Sequence, residues 1–180
     1  MLLPTCFTRL ALSVLALSAT ASPPAWADKD QTVPFKASVS TQEVLSFESM
    51  PPFRCPGSFL VGTTTGNGTA SHMGAVTLTA TDCPVPIGIG SFAFSDGRLT
   101  LTAANGDKLK AIYSGTLLPV PGTDPVVHAI NGTFAVTGGS GRFAGARCLG
   151  SLQGSEDVVT FKGRYEVSCM LTLRSESDRD

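Results

Sequence analysis

Four polar residues of this chain fall in step with apolar alternation rather than against it. Asp82 continues the face of Val76, Leu78 and Ala80, and Tyr113 that of Leu109 and Ala111. His128 opens the face of Ile130, Phe134 and Val136, while Tyr165 lies with Phe161 and Val167. If strands turn those faces inward, one carboxyl, one imidazole and two phenols converge inside an apolar enclosure, the usual form of a small-molecule site. Quieter roles stay open for each of them. Asp82, beside Cys83 at a strand end, suits a rim or turn; His128 suits the surface after a Pro-rich connection; both tyrosines suit a barrel end with their hydroxyls in water. Glu43 and Glu48 flank Leu45 and Phe47, and Glu48, alternating with Phe47, reads as outward. No acid–base pair stands out.

Other chemistries lack their residues. A Ser-His-Asp arrangement needs a nucleophile held against a histidine, and neither His72 nor His128 has an identifiable local partner. Five cysteines without a Cys-x-x-Cys, and two histidines, make no zinc site, so no metal and no cofactor are expected. Net charge is −1, without the basic stripe of a nucleic-acid binder. Asn67-Gly68-Thr69 and Asn131-Gly132-Thr133 match the glycosylation acceptor pattern but read as Asn-Gly bends. Lys108 with Lys110, and Lys162 with Arg164, alternate on outer faces.

The elements that must position the four candidates are strands. Val33, Phe35, Ala37 and Val39 alternate with Lys36, Ser38 and Ser40, the period of a half-buried strand. Val76, Leu78 and Ala80 alternate with threonines. Phe92 and Phe94 run into Asp96-Gly97, and Leu99, Leu101 and Ala103 run into Asn105-Gly106. Both dipeptides tolerate the positive φ of tight hairpins, which predicts a meander continued by Leu109, Ala111 and Tyr113. A Pro-rich connection from Pro119 to Pro125 precedes the last strands. Nowhere after Ala27 does apolar spacing follow a helix for three turns. The 19 glycines suit bulges and close strand crossings in a small closed barrel.

The N-terminus reads as a targeting segment. Arg9 precedes the apolar run Leu10 to Leu17, and Ala25-Trp26-Ala27 offers small residues where a signal peptidase reads. A second cut after Ala21 is weaker, because cleavage after Ala27 leaves the polar start Asp28-Lys29-Asp30. The expected organisation is a cleaved signal peptide at 1–27, one barrel domain at 28–173 and a charged tail at 174–180, in a secreted or periplasmic protein. Cys6 leaves with the signal peptide. Four cysteines remain, which in an exported chain reads as two disulfides. Cys55 and Cys83 lie symmetrically about Gly68-Thr69, so a hairpin turning there sets them opposite each other. Cys148 and Cys169 are symmetric about Val158-Val159; a turn at Ser155-Glu156 would carry them out of bridging range. The expected bridges are Cys55 with Cys83 and Cys148 with Cys169.

One segment is more specific. Asn131 to Thr137 followed by Gly138-Gly139-Ser140-Gly141-Arg142-Phe143-Ala144-Gly145-Ala146 resembles the strand-turn-strand hallmark of the allene oxide cyclase and dirigent barrel families. There a Phe-containing strand leads into Gly-Gly-Thr-Gly, one variable residue, Phe and a small residue. Here Ser140 replaces the Thr, and Cys148 stands where bacterial relatives tend to have Gly. No Gly-Lys-Ser/Thr follows and no helix begins there, so a phosphate cradle is a poorer reading. The stretch Phe92 to Gly115 also resembles exported bacterial proteins with this barrel. The resemblance implies an all-β, antiparallel, closed barrel of about eight strands with an apolar interior, often trimeric in plant members. It implies no single activity, and no catalytic residue is carried over.

Three functions are therefore expected to compete. An exported barrel holding a small apolar ligand without converting it leads, given a durable disulfide-bonded scaffold. A cofactor-free cyclase or isomerase acting by confinement leaves little trace in sequence. A structural or interaction barrel has a filled core. A homo-oligomer, dimer or trimer, fits any of them, with no nucleic acid and no membrane span.

Overall fold

The computed structural model describes residues 30–122 and 127–174. The expected signal peptide, most of the charged tail and the end of the Pro-rich connection lie outside the described residues. Eight strands follow in order: β1 Gln31–Phe47, β2 Leu60–Ala70, β3 Gly74–Gly88, β4 Ser91–Ala103, β5 Lys108–Pro119, β6 Val127–Ser140, β7 Cys148–Asp157 and β8 Lys162–Leu173. Each pairs antiparallel with its sequence neighbour, and β8 returns to β1 with Phe35 opposite Cys169, closing the barrel. Closure removes the exposed sheet edges that an open meander would present.

Alternation decides what each strand turns inward. Along β1 the inward set is Phe35, Ala37, Val39, Thr41 and Glu43; along β6 it is His128, Ile130, Gly132, Phe134 and Val136. Lys108, Lys110, Lys162 and Arg164 are exposed as expected. One half of the interior is packed solid. Phe35, Leu101, Leu109, Phe134 and Leu171 fill it, and Phe143, from the single turn of 3-10 helix Gly141–Phe143, plugs that end. Gly141 and Gly145 adopt positive φ on either side of this plug, where side chains carrying a Cβ are strained. The Gly138, Gly139 and Ser140 part of the motif forms the end of β6, from buried Gly138 to exposed Ser140.

Both disulfides form as expected. Cys55–Cys83 (Cα–Cα 5.3 Å) ties the β1–β2 connection to β3, and Cys148–Cys169 (6.1 Å) clamps β7 to β8. The turns assigned to three dipeptides do not. Asn67-Gly68 lies inside β2, whose turn comes at Ser71–Met73; Asn131-Gly132 lies inside β6; Asp96-Gly97 lies inside β4. The physical reason differs between them. A Cβ on Gly68 would collide with the Ser38 carbonyl and come within 2.7 Å of Val39 Cα, so the glycine permits a close strand crossing rather than a turn. Gly132 serves likewise against Ser114 and Gly115. Asp96 does take positive φ (51°), but at a β-bulge where the pairing to β3 and β5 slips. Asn105-Gly106 turns as expected, with Gly106 at φ 89°.

Candidate functional site

The other half of the barrel is open. A cavity of about 400 Å³ lies at the end where β1 finishes and β8 begins, walled by Leu45, Leu60, Phe92, Phe94, Leu117, Ile130, Leu152 and Phe161. Asp82, Tyr113, His128 and Tyr165 all line it. Two carboxyls that the sequence reading did not select, Glu43 and Glu156, line it as well.

The polar groups form two hydrogen-bonded sets. In one, Tyr113 Oη donates to Asp82 Oδ2 at 2.7 Å. In the other, Tyr165 Oη donates to Glu156 Oε2 at 3.0 Å, and the Glu43 and Glu156 carboxyls bond each other. Register explains both. Glu156 sits directly across β6–β7 from His128, and Tyr165 lies one inward position from Gly163, the β8 partner of Glu156. Asp82 faces Gly62 on β2, and a Cβ there would collide with Glu43 Oε1 and approach Asp82 Oδ1 to 2.7 Å. The missing side chain is the space in which the two carboxyls meet.

Burial sets the protonation of this cluster. It pushes Glu43 up to about 9, helped by the nearby charges of Glu156 and Asp82. Glu156 is raised by burial as well, against the hydrogen bonds of Tyr165 and Glu43 and the charge of His128. Asp82 is raised for the same reason, opposed by the Tyr113 hydrogen bond and by Arg54. Arg54 stands behind the wall with Nη2 on the Thr81 and Asp96 carbonyls at 3.1 and 2.6 Å. Burial and adjacent carboxylates raise both tyrosines, so the phenols stay neutral donors. His128 Nε2 lies 2.6 Å from the Gly90 carbonyl, which only accepts, so that nitrogen carries the hydrogen. Near neutral pH Glu43 is a carboxylic acid hydrogen-bonded to the Glu156 carboxyl. The arrangement can therefore give a proton to, or take one from, a molecule held in the cavity.

A solved structure described as the pterocarpan synthase dirigent protein GePTS1 is similar to this chain, with a TM-score of 0.52 at 14% sequence identity over 92% of this chain and 100% of that one. The chain has the dirigent-like barrel fold. At that identity the likeness concerns the fold alone. No family model matches the sequence, and no curated protein does.

Within this dirigent-like barrel the residues missed from sequence have traceable signals. Counting by twos from Val39 through Thr41 reaches Glu43, and from Leu152 through Gly154 reaches Glu156. Glu156 had looked like part of a turn because Gly154-Ser155-Glu156-Asp157 is polar throughout; in the barrel it closes β7 and is buried. Glu48 stays out of the cavity, its carboxylate accepting from the Arg54 and Cys55 backbone N–H groups. Phe161, expected in the last strand, sits in the β7–β8 turn at φ 55° and still lines the cavity.

The Tyr113 ring lies against a glycine. Gly97 pairs with Tyr113 across β4–β5, and a Cβ there would meet the ring at 2.6 Å (Cγ) and 2.7 Å (Cδ1). Gly97→Ala is therefore expected to displace the ring, break its bond to Asp82 and cost about 2 kcal/mol. Urea unfolding read with the ultraviolet difference spectrum of the tyrosines checks both parts.

Proposed function

We propose that the protein is exported, takes a small and largely apolar molecule into its lumen, and moves a proton on it without a cofactor, as a cyclase or isomerase that works by confining its substrate. The observation carrying this reading is that Tyr113–Asp82 and Tyr165–Glu156–Glu43 line one cavity, with the Glu43 and Asp82 carboxyls meeting over Gly62. In an isomerisation or ring closure the proton delivered at one atom is recovered from another, so no redox partner enters. Apolar walls exclude water and strengthen each charge interaction within. Exposed Phe47, Ile87, Ile89 and Val159 lie in the strand ends and turns around the mouth and give an apolar molecule a path of entry.

Holding a ligand without converting it is the second reading. It is favoured by the carboxyls of Asp82 and Glu156 being hydrogen-bonded already within the protein. Native mass spectrometry of the oxidised protein, before and after mild organic extraction, tests retention and reports dimer or trimer assembly in one spectrum. A small adduct lost on extraction, and absent from a Leu117→Trp variant whose indole fills the lumen, is expected. An adduct retained equally by that variant would place binding elsewhere. A rearranged product on re-incubation with the extracted molecule separates turnover from holding.

A further inference from the structure

Resting on that reading, we propose that the lumen ligand is an organic cation, an ammonium group carried on a largely apolar body. Three carboxyls, Glu43, Asp82 and Glu156, line the cavity, and among the described residues no lysine or arginine does. The nearest guanidinium, Arg54, is turned to backbone carbonyls behind the wall. The one basic lining group, His128, directs Nε2–H at Gly90 rather than across the lumen.

A second set of observations points the same way. The rings of Phe92, Phe94 and Phe161 line the cavity beside those of the two tyrosines, and a cation over an aromatic face is attracted by the ring quadrupole, most strongly where water is excluded. An anion would meet three carboxyls and no lysine or arginine among the described residues. A neutral apolar molecule would bring no counter-charge to carboxyls held in a water-poor site.

Charge neutralisation also predicts proton release. Glu43 on β1 faces Glu156 and Tyr165 from β7 and β8, Asp82 and Tyr113 from β3 and β5, and His128 from β6, with Arg54 behind Asp82. A cation among these groups favours their ionised forms, so the proton held by Glu43 passes to solvent on binding, and affinity rises with pH.

The test compares three probes on the full oxidised protein by ligand-observed NMR: benzyltrimethylammonium, its uncharged isostere neopentylbenzene, and phenylacetate. At least about tenfold preference for the cation over the isostere is expected, with phenylacetate excluded. Calorimetry in buffers of different ionisation enthalpy should show protons released with the cation alone. Glu43→Gln, whose amide keeps the hydrogen bond to Glu156, should reduce that proton release. Equal or tighter binding of neopentylbenzene would overturn the cation inference while leaving the ligand-holding lumen intact. Absence of binding by all three, with Leu117→Trp indistinguishable from the wild type, would overturn both.

Discussion

The stability of this protein is expected to fall as pH rises from about 5 to about 9, and Glu43→Gln to remove most of that fall. The sign follows from proton binding. Burial and the charges of Glu156 and Asp82 hold Glu43 at about 9 in the barrel, against 4.5 as its ordinary value. Between those limits the unfolded chain has lost this proton and the folded chain keeps it. The folded state binds more protons, so unfolding becomes easier with rising pH. Below 4.5 the group makes no difference, and above about 9 the loss is complete. Asp82 and Glu156, both raised, act in the same direction. Asp157, lowered by the Thr160 and Val159 backbone N–H groups, acts oppositely and only at acid pH. A loss of a few kcal/mol across the window is the expected scale. Urea denaturation at several pH values reads it. A flat wild-type profile, or a Glu43→Gln profile parallel to it, would contradict the assignment.

Reduction of the disulfides is expected to have the other large effect. Cys55 and Cys83 are 28 residues apart and Cys148 and Cys169 are 21 apart. Loops of that size give about 3 to 4 kcal/mol each from restriction of the unfolded chain, a large part of the ~5 to 15 kcal/mol that holds a domain folded. Each bridge replaced by serines should lower the melting temperature by roughly 10 °C. The two are not equivalent in function. Cys55 anchors the connection that carries Arg54 behind Asp82, with Arg54 Nη1 at 3.5 Å from Cys83 Sγ. Losing Cys55–Cys83 frees that guanidinium and lets Asp82 rise further, whereas losing Cys148–Cys169, at the packed end, leaves the lumen acids unchanged. Thermal unfolding with and without reductant tests the stability part, and an unchanged melting temperature would refute it.

The strands were legible in the sequence because period-2 alternation survives wherever the inward residue is apolar; closure followed from the resemblance to dirigent barrels, and the bridges from cysteine symmetry, although the hairpin expected at Gly68-Thr69 turns at Ser71–Met73. Val76, Leu78 and Ala80 lead to Asp82 by the same count that places them inside. The signal failed where inward positions are glycine or polar. Thr41 and Glu43 extend β1 without an apolar marker, and Gly154 hides the step from Leu152 to Glu156. Glycine also misled the placement of turns. Gly106 is chosen for its φ and Gly68, Gly97 and Gly132 for their missing Cβ, and the dipeptides that contain them look alike. Which carboxyls meet is decided by strands far apart in sequence, with Gly62 leaving the room between Glu43 and Asp82, and local pattern holds no record of that.

If the open half of the barrel is a proton-bearing small-molecule site, its acids reveal themselves in a carbon-13 NMR titration of the side-chain carboxyls, with and without neopentylbenzene or benzyltrimethylammonium. Glu43 is expected to titrate near 9, and whichever probe binds should move the Glu43, Asp82 and Glu156 resonances together while exposed Glu166 stays still. Glu43 titrating as an ordinary carboxylate, with none of the three responding to either probe, would contradict it.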